Sequence, residues 1–334
     1  MKKEEKLFKK QKMTKKNFLF KKILNYKKII LHTHINPDGD AVGAIFGLKE
    51  LINDNWEEKD VLVVVDPVHE KLPIDVVSDE DSLKSGDYKG ALVIVCDVAN
   101  EKRIYGKYWK NAKEIIKIDH HPEGDKYADF EFVDENAIAT CQIIAKWGFV
   151  NDLFFSKKSS KSLFLGIVCD SNRFLYPKTN SDTFLTASKL LRTKFNLHNF
   201  YRKLYTKKKS AILIKKYIYQ KLKFSASGKV AFSFVKPYFF TKNKQFDLNE
   251  RETITSFVYL LEGIEDVLVW LIALKNEQHK EIKISVRSRK IPINKFVKKF
   301  GGGGHENACG VRLKRWKDVY FFIEEIERFL KNFS

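Results

Sequence analysis

Four short, mostly apolar runs, each with an aspartate close behind it, constrain the kind of sheet that this chain can form. The runs are Ile29–Leu31, Val61–Val65, Ala91–Cys96 and Glu114–Ile118. Runs of this kind are typical of buried parallel strands, and helical patterns alternate with them, so the sequence predicts βαβ units and a mostly parallel sheet. Because the carboxyl ends of parallel strands lie along one edge, we expect the loops after the first, third and fourth runs to converge there.

The loop after the first run holds three potential metal ligands, His34, Asp38 and Asp40. One imidazole and two carboxylates suit a borderline or hard divalent cation such as Mn²⁺. The alternative is that the two aspartates cap the helix that begins near Ala41. The further aspartates at the same predicted edge favour a metal site, because a cluster of carboxylates repels itself unless cations neutralise it.

Chain length and net charge indicate how many domains the chain can form and what kind of partner it can bind. The chain has 334 residues, enough for two domains, and a formal net charge of +20 that favours an anionic partner. Phosphate-rich ligands come first among such partners, and RNA or DNA next. The four cysteines stand singly, without a CxxC pair, and are predicted to be reduced thiols. With neither an apolar run of roughly 18 residues nor a secretion signal, we expect a cytoplasmic protein without a membrane span.

Changes in composition along the chain predict an α/β fold in four segments. They are a lysine-rich extension at 1–27, a first domain at 28–196 with helices on both faces of its sheet, a helical linker at 197–224 and a smaller α/β domain at 225–334. The elements predicted in the last segment are a strand at Lys229–Val235, a helix at Glu250–Leu261, paired strands at Val267–Leu274 and Lys280–Val286, and a final helix at Lys317–Phe333.

Five motifs spread over the chain carry a family resemblance. In chain order they are His34-Ile-Asn-Pro-Asp38-Gly-Asp40, Asp97, Asp119-His120-His121, Asp170-Ser-Asn-Arg-Phe174 and Gly301-Gly-Gly-Gly-His305. Each motif alone is weak, but in this order they resemble the DHH–DHHA1 phosphoesterases over nearly all of the chain after about Lys27. Within that family the chain is similar to the short, two-domain branch of nanoRNases and pAp phosphatases. The resemblance implies a parallel-sheet DHH domain followed by a DHHA1 domain.

The resemblance also implies a centre of two Mn²⁺ ions, with Mg²⁺ or another divalent cation as an alternative. In the family scheme His34 and Asp38 bind one ion, and Asp40 and His120 bind the other. Asp97 bridges the two ions in that scheme. Two ions about 3.5–4 Å apart can share one activated hydroxide while both neutralise phosphoryl oxygens.

The remaining motif residues receive roles from the same resemblance. Asp170 completes the set of metal ligands. His121 faces the scissile phosphate, where it stabilises charge or protonates the leaving oxygen. Asp119 is expected to fix the tautomer of His120. Asn172 stands where glycine is common in the family, and we expect the turn to survive because asparagine tolerates the left-handed conformation.

A run of four glycines before His305 is the main candidate for phosphate binding, because it exposes backbone N–H groups and leaves no Cβ atoms in the way of a phosphate. A flexible hinge is the alternative. The resemblance implies that an arginine and a serine on a preceding strand share this role. The residues predicted for it are Arg287, Ser288, Gly302, Gly303, Gly304 and His305. Asn100 and Arg103, close behind Asp97, are predicted either to contact sugar or phosphate or to cap the following helix.

The activity implied by the resemblance is Mn²⁺-dependent hydrolysis of very short single-stranded RNA to mononucleotides, together with removal of the 3′-phosphate of pAp at the same site. The nearest alternative is a phosphodiesterase for linear or cyclic dinucleotides such as pApA and c-di-AMP. A lower alternative is a non-catalytic basic RNA-binding protein, whose groove would line up Lys, Arg and aromatic residues rather than metal ligands at strand ends. Family members are often dimers, so the resemblance also implies a homodimer.

Overall fold

The computed structural model describes residues 18–68, 72–122, 124–244, 246, 251, 254–275 and 280–333. The chain forms two compact units, Met1–Thr206 and Lys207–Ser334, called unit 1 and unit 2 below. Within the described ranges, no helix is both long enough and apolar enough to cross a membrane.

Unit 1 is built on a five-stranded sheet in which every neighbouring pair is parallel. The strands, in the spatial order β2-β1-β3-β4-β5, are β1 (Lys28–His32), β2 (Asp60–Val64), β3 (Leu92–Cys96), β4 (Glu114–Asp119) and β5 (Phe130–Val133). The predicted parallel sheet is therefore confirmed. β5 was not predicted, because four residues that are mostly half-buried give a weak signal.

Helical segments cover both faces of this sheet. The α-helices are α1 (residues 18–25), α2 (Gly39–Asn55), α3 (Thr140–Val150), α4 (Lys157–Asp170), α5 (Ser181–Leu191) and α6 (Leu197–Tyr205). Ile29 and Leu31 of β1 join the core formed with these helices, whereas Ile30 points to the opposite face. Short 3₁₀ segments close that second face, where Tyr88 and Trp109 are buried.

Residues of the predicted N-terminal extension take part in the first core. Leu19 and Ile23 of α1 are fully buried in the cluster that also contains α2 and α4. The described part of the extension therefore packs on the rest of unit 1.

Glycines allow α2 and α4 to pack closely. A Cβ atom at Gly43 would lie 2.6 Å from the carbonyl oxygen of Ser162, and one at Gly166 would overlap Oδ1 of Asp40. This close packing holds the first turn of α2 beside the last turns of α4, so the aspartates at these two helix ends can approach each other.

Unit 2 contains a six-stranded mixed sheet in the order β10-β11-β9-β8-β7-β6. Its strands are β6 (Lys223–Phe224), β7 (Val230–Val235), β8 (Val269–Leu274), β9 (Ile282–Ser288), β10 (Gly303–His305) and β11 (Ala308–Leu313). β7 and β8 are parallel, and the other pairs are antiparallel. The predicted strand before β8 and the predicted β8–β9 pair are confirmed.

The helices of unit 2 are α7 (Lys209–Gln220), α8 (Tyr238–Lys242), α9 (Asn294–Lys298) and α10 (Trp316–Leu330). The helix predicted at Glu250–Leu261 differs in type over Ile254–Leu261, which is a 3₁₀ helix. Thr255, Val258 and Leu261 are buried there, and their three-residue spacing fits three residues per turn. The predicted linker at 197–224 contains α6, which belongs to unit 1, and α7, which belongs to unit 2.

Candidate metal centre

The predicted metal ligands of unit 1 come together at the carboxyl edge of the parallel sheet. Loops after β1, β3 and β4, the start of α2 and the end of α4 supply them. The predicted ligands are His34, Asp38, Asp40, Asp97, His120 and Asp170. With His121 they form three groups of three, each with ligand atoms within 4.8 Å of one another, namely His34, Asp38 and Asp97; Asp40, His120 and Asp170; and Asp97, His120 and His121. Their convergence follows from the parallel topology and the packing of α2 on α4.

Asp97 lies between two of these groups. Its Oδ2 is 3.8 Å from Nε2 of His34, which is also 4.0 Å from Oδ2 of Asp38. Its Oδ1 is 3.5 Å from Nε2 of His120. One carboxylate thus faces both groups, as a bridging ligand would.

The second group surrounds His120. Its Nε2 is 3.2 Å from Oδ2 of Asp170 and 3.9 Å from Oδ2 of Asp40. The same nitrogen therefore faces carboxylates from α2, from α4 and from the loop after β3. The 3.9 Å between Nε2 of His120 and Oδ2 of Asp40 exceeds hydrogen-bond length, so there is room between these two atoms.

The N-terminus of α3 holds two of the carboxylates in place. The backbone N–H groups of Thr140 and Cys141 donate to Asp40 at 2.6 and 3.0 Å, and the Thr140 hydroxyl donates to Oδ1 of Asp97 at 3.1 Å. The positive end of the helix dipole lies at this point, so it favours the ionised carboxylates. This support was missed from the sequence, where nothing links residue 140 to residue 40.

Asp38 combines the two roles that the sequence left open. Its Oδ1 accepts hydrogen bonds from the backbone N–H groups of Asp40 and Ala41 at 3.0 Å each, which caps α2. Its other oxygen faces His34. Capping fixes the carboxylate and leaves one oxygen available as a ligand.

The glycine run of unit 2 is an ordered part of a β-hairpin rather than a hinge. Gly303 and Gly304 belong to β10, which pairs with β11. A Cβ at Gly302 would lie 2.5 Å from the carbonyl oxygen of Gly310, and one at Gly304 would overlap the carbonyl oxygen of Ala308. The hinge alternative is therefore wrong, and close backbone packing requires at least two of these glycines whatever they bind.

Arg287 and His305 flank Ala308 in the same sheet. Ala308 pairs with Arg287 of β9 on one side and with His305 of β10 on the other. Directly paired residues project from the same face, so the guanidinium and the imidazole share a face. Ser288 differs from the expectation, because it is buried and its hydroxyl donates to the carbonyl of Ile291 at 2.6 Å. In this conformation its hydroxyl is not directed at a ligand.

Comparison with protein families decides the identity of the fold. The model of the DHH family N-terminal domain matches residues 28–167, and the model of the DHHA1 domain matches residues 216–332. The chain belongs to the DHH/DHHA1 family. The resemblance predicted from the motifs is confirmed, and with it the expectation of a hydrolytic enzyme.

Relatives of this DHH/DHHA1 protein match over almost its full length. It is 33% identical over 305 residues to a "Probable bifunctional oligoribonuclease and PAP phosphatase NrnA" of Streptococcus mutans, covering 90% of this chain and 94% of the relative. It is 30% identical, with the same coverage, to the bifunctional oligoribonuclease and PAP phosphatase NrnA of Bacillus subtilis. The solved structure of an exopolyphosphatase-related protein from Bacteroides fragilis superposes with a TM-score of 0.80 at 21% identity, covering 96% of this chain and 97% of the other. That superposition supports the fold.

The electrostatics of the cluster favour a bound divalent cation. Burial raises the pKa of Asp40 to about 7, and the charge of Asp170 adds to the effect. Burial and the neighbouring aspartates raise the pKa of Asp97 well above its usual range. Nδ1 of His120 is buried and has no hydrogen-bond partner among the residues described. Two imidazoles and four carboxylates are donors that suit Mn²⁺ and similar divalent ions, so the residues fit a divalent metal centre.

The contacts of Asp119 differ from the prediction. We expected it to fix the tautomer of His120, but its Oδ1 lies 2.8 Å from Nδ1 of His121. The same oxygen accepts from the backbone N–H groups of His120 and His121 at 2.8 and 3.2 Å. These backbone bonds close a tight turn that brings the ring of His121, not that of His120, to the carboxylate. Nε2 of His121 therefore remains available for another partner.

Lys117 was missed from the sequence. It is almost completely buried in β4, with Nζ 3.6 Å from Oδ2 of Asp119 and 3.5 Å from the carbonyl oxygen of Ala99. Its ammonium group also lies 5.2 Å from the ring centroid of Tyr127. A lysine inside an otherwise apolar strand was the signal, since burying its charge requires a partner.

Three other residues singled out in the sequence have the following surroundings. Nη2 of Arg103 is 3.2 Å from Nδ1 of His34, so its guanidinium lies beside the ligand cluster. Asn100 is at the N-cap of the 3₁₀ segment Glu101–Arg103, but its side chain makes no capping hydrogen bond. Asn172 has φ +46°, so the left-handed turn after Asp170 forms with asparagine as expected.

Proposed function

We propose that this chain is a two-metal phosphodiesterase that degrades short oligoribonucleotides to mononucleotides and removes the 3′-phosphate of pAp. The position of Asp97 carries the proposal, because its two oxygens face two separate groups of nitrogen and oxygen ligands. The relatives named for oligoribonuclease and PAP phosphatase activity align over 90% of this chain, which supports the substrate class.

In the proposed centre, His34 and Asp38 would hold one ion, Asp40, His120 and Asp170 would hold the other, and Asp97 would serve both. Two bound Mn²⁺ ions supply a water of lowered pKa as nucleophile and neutralise charge on the phosphoryl oxygens. Mg²⁺ or another divalent cation is the alternative occupant. The α3 N-terminus keeps Asp40 and Asp97 oriented for this purpose.

His121 is the proposed proton donor to the leaving 3′-oxygen. Its side chain is 43% exposed, and Nδ1 is engaged by Asp119, so Nε2 is the nitrogen directed at substrate. Asp119 positions the ring through its contact with Nδ1. Both reactions break a bond between a 3′-oxygen and phosphorus, so one site serves both.

Arg287, His305 and the backbone of Gly302, Gly303 and Gly304 are proposed to hold the terminal phosphate of the substrate. The shared face of Arg287 and His305 supports this assignment. Ser288 remains in the proposal only if its hydroxyl leaves the Ile291 carbonyl. Arg103 and Asn100 are proposed to contact the sugar or phosphate. When Nε2 of His34 binds metal, Nδ1 carries the proton and donates to the carbonyl of Ile35 at 2.9 Å, which frees the Arg103 guanidinium for an anion.

A time course tests the proposal. The substrates are 5′-phosphorylated RNAs from dinucleotide to ~25-mer, together with pAp, pApA and c-di-AMP, each with and without Mn²⁺. Fast Mn²⁺-dependent release of mononucleotides from the shortest RNAs, with phosphate from pAp, is expected. Turnover of dinucleotides alone would instead support the second-messenger alternative. The homodimer and the cytoplasmic location remain predictions, and light scattering of the purified chain tests the first.

A further inference from the structure

A second concave site lies in unit 1, at the end of α4 opposite the metal ligands. It is a cavity of about 320 Å³ between the first turn of α4 and the start of α6. A helix of this length places its first residue about 20 Å from Asp170, its last. Five of the ten residues that line the cavity are lysines, namely Lys157, Lys158, Lys161, Lys194 and Lys203. The buried rings of Phe195 and Phe200 also line it.

The charge of this lysine cavity is not compensated within the described part of the chain. No carboxylate lines it, and none of its five ammonium groups makes an ion pair with a described residue. Asp54 approaches the start of α4, but its Oδ2 already accepts from Ser156 N and the Ser159 hydroxyl at 3.0 and 2.8 Å. Other lysines of unit 1, such as Lys49 and Lys146, do pair with aspartates. What distinguishes the five lysines is that they line one cavity together.

The positions of these lysines are electrostatically unfavourable in the free protein. Lys157, Lys158 and Lys161 occupy the first five residues of α4, at the positive end of its dipole, where acidic residues are the favoured choice. Lys161 is also three and four residues from the other two, a spacing at which like charges repel. Asn196 begins α6 at the same cavity, so a second helix presents its positive end there. An anion in the cavity would relieve all of these repulsions.

We propose that the lysine cavity binds a compact phosphate chain, such as inorganic triphosphate or the 5′-polyphosphate of a nucleotide. Lysine is a good phosphate ligand that acts as a mobile point charge. The volume falls in the range of small-ligand sites. Linked phosphates concentrate several negative charges within one such cavity, whereas an RNA backbone spreads one charge over each nucleotide. The site is separate from the catalytic proposal and does not depend on it.

The test is calorimetric titration of the full-length protein with inorganic triphosphate, without divalent metal, at physiological ionic strength. The cavity variant is Lys158→Gln/Lys161→Gln. The matched control is Lys89→Gln/Lys107→Gln, which makes the same change of charge at exposed lysines outside the cavity. We expect about tenfold weaker binding in the cavity variant and less than about twofold in the control. The titrations of both double variants are repeated in proteins that also carry Arg287→Ala, so that binding at this site is separated from binding at the proposed phosphate site in unit 2.

A second readout comes from thermal melting in the same buffers. Without phosphate, the cavity variant should melt above wild type, because repulsion at the start of α4 is removed. Saturating triphosphate should stabilise wild type and erase that difference. Equal loss of binding in the cavity and control pairs, or no loss in either, would overturn the proposal. The proposal would also be overturned if the cavity variant lost affinity for a short RNA without a terminal phosphate but kept its affinity for triphosphate. The cavity would then be an RNA contact. Selective loss for ATP as well as triphosphate would support it and identify nucleotides among its ligands.

Discussion

Asp40→Asn is expected to stabilise the metal-free protein at high pH. Asp40 is fully buried, and burial is the main reason that its pKa rises from 3.8 to about 7 in the folded state. The folded state then holds this proton more tightly than the unfolded state, so the contribution to stability is greatest below pH ~4 and is lost as the pH rises towards 7. At 1.36 kcal/mol per pKa unit, a difference of about 3 units destabilises the fold by about 4 kcal/mol above pH 7.

Asparagine at position 40 removes this charge, but its side chain has one acceptor oxygen where the carboxylate has two. Thr140 and Cys141 both donate backbone N–H groups to Asp40, and leaving one of them unpaired costs about 1–3 kcal/mol. The metal-free variant should therefore be about 1–3 kcal/mol more stable than wild type at pH 8. At pH 4 the two should be nearly equal, because the wild-type carboxyl is then neutral as well.

Urea unfolding in EDTA from pH 4 to 8 measures this difference, with the exposed Asp75→Asn as the control. Mn²⁺ at 100 times its dissociation constant should stabilise wild type by about 2.7 kcal/mol and the variant by much less, because the variant lacks a ligand. A metal-free variant that is less stable than wild type at pH 8 would refute the reasoning, since the carboxylate would then not be destabilising the fold.

Further predictions concern the phosphate site, the helix packing and the buried lysine. Arg287→Ala should raise KM about tenfold or more for 5′-phosphorylated substrates and little for unphosphorylated ones, as steady-state kinetics on matched RNAs will show; equal losses would argue against a phosphate clamp. Gly166→Ala should weaken Mn²⁺ binding in calorimetry because the new Cβ overlaps Asp40, whereas Gly86→Ala, with nothing within 4 Å, should bind normally. Lys117→Met should lower kcat more than Mn²⁺ affinity, because the Lys117 ammonium contacts Asp119, which positions the proposed proton donor His121. An unchanged kcat would contradict that role.

The sequence predicted those parts of the fold that depend on local pattern. Apolar runs located β1 to β4, and the acids behind them located the cluster of candidate metal ligands, because a parallel sheet brings such positions to one edge. The support of Asp40 by Thr140 was not predictable in this way, since it depends on the packing of α3 a hundred residues later.

Local pattern alone does not distinguish neighbouring residues with similar chemistry, and only the family resemblance assigned them different roles. Which ring of His120 and His121 turns towards Asp119 depends on the backbone of the turn. His32 and His34 are two residues apart, yet the ring nitrogens of His32 face the Tyr105 carbonyl and Tyr88 hydroxyl, and burial lowers its pKa to about 4. It is a neutral core histidine, whereas His34 reaches the ligand cluster.

The most direct test of the proposed centre is the turnover of a 5′-phosphorylated RNA dinucleotide by Asp97→Asn. Asp97 has φ +62°, a conformation that asparagine tolerates, so the backbone should be retained while the shared carboxylate is lost. With circular dichroism and melting used to verify the fold, and Asp75→Asn as control, the two-metal account predicts at least about a thousandfold lower turnover and fewer than two Mn²⁺ bound per chain. A folded variant that retains wild-type turnover, or that still binds two Mn²⁺ with wild-type affinity, would contradict it.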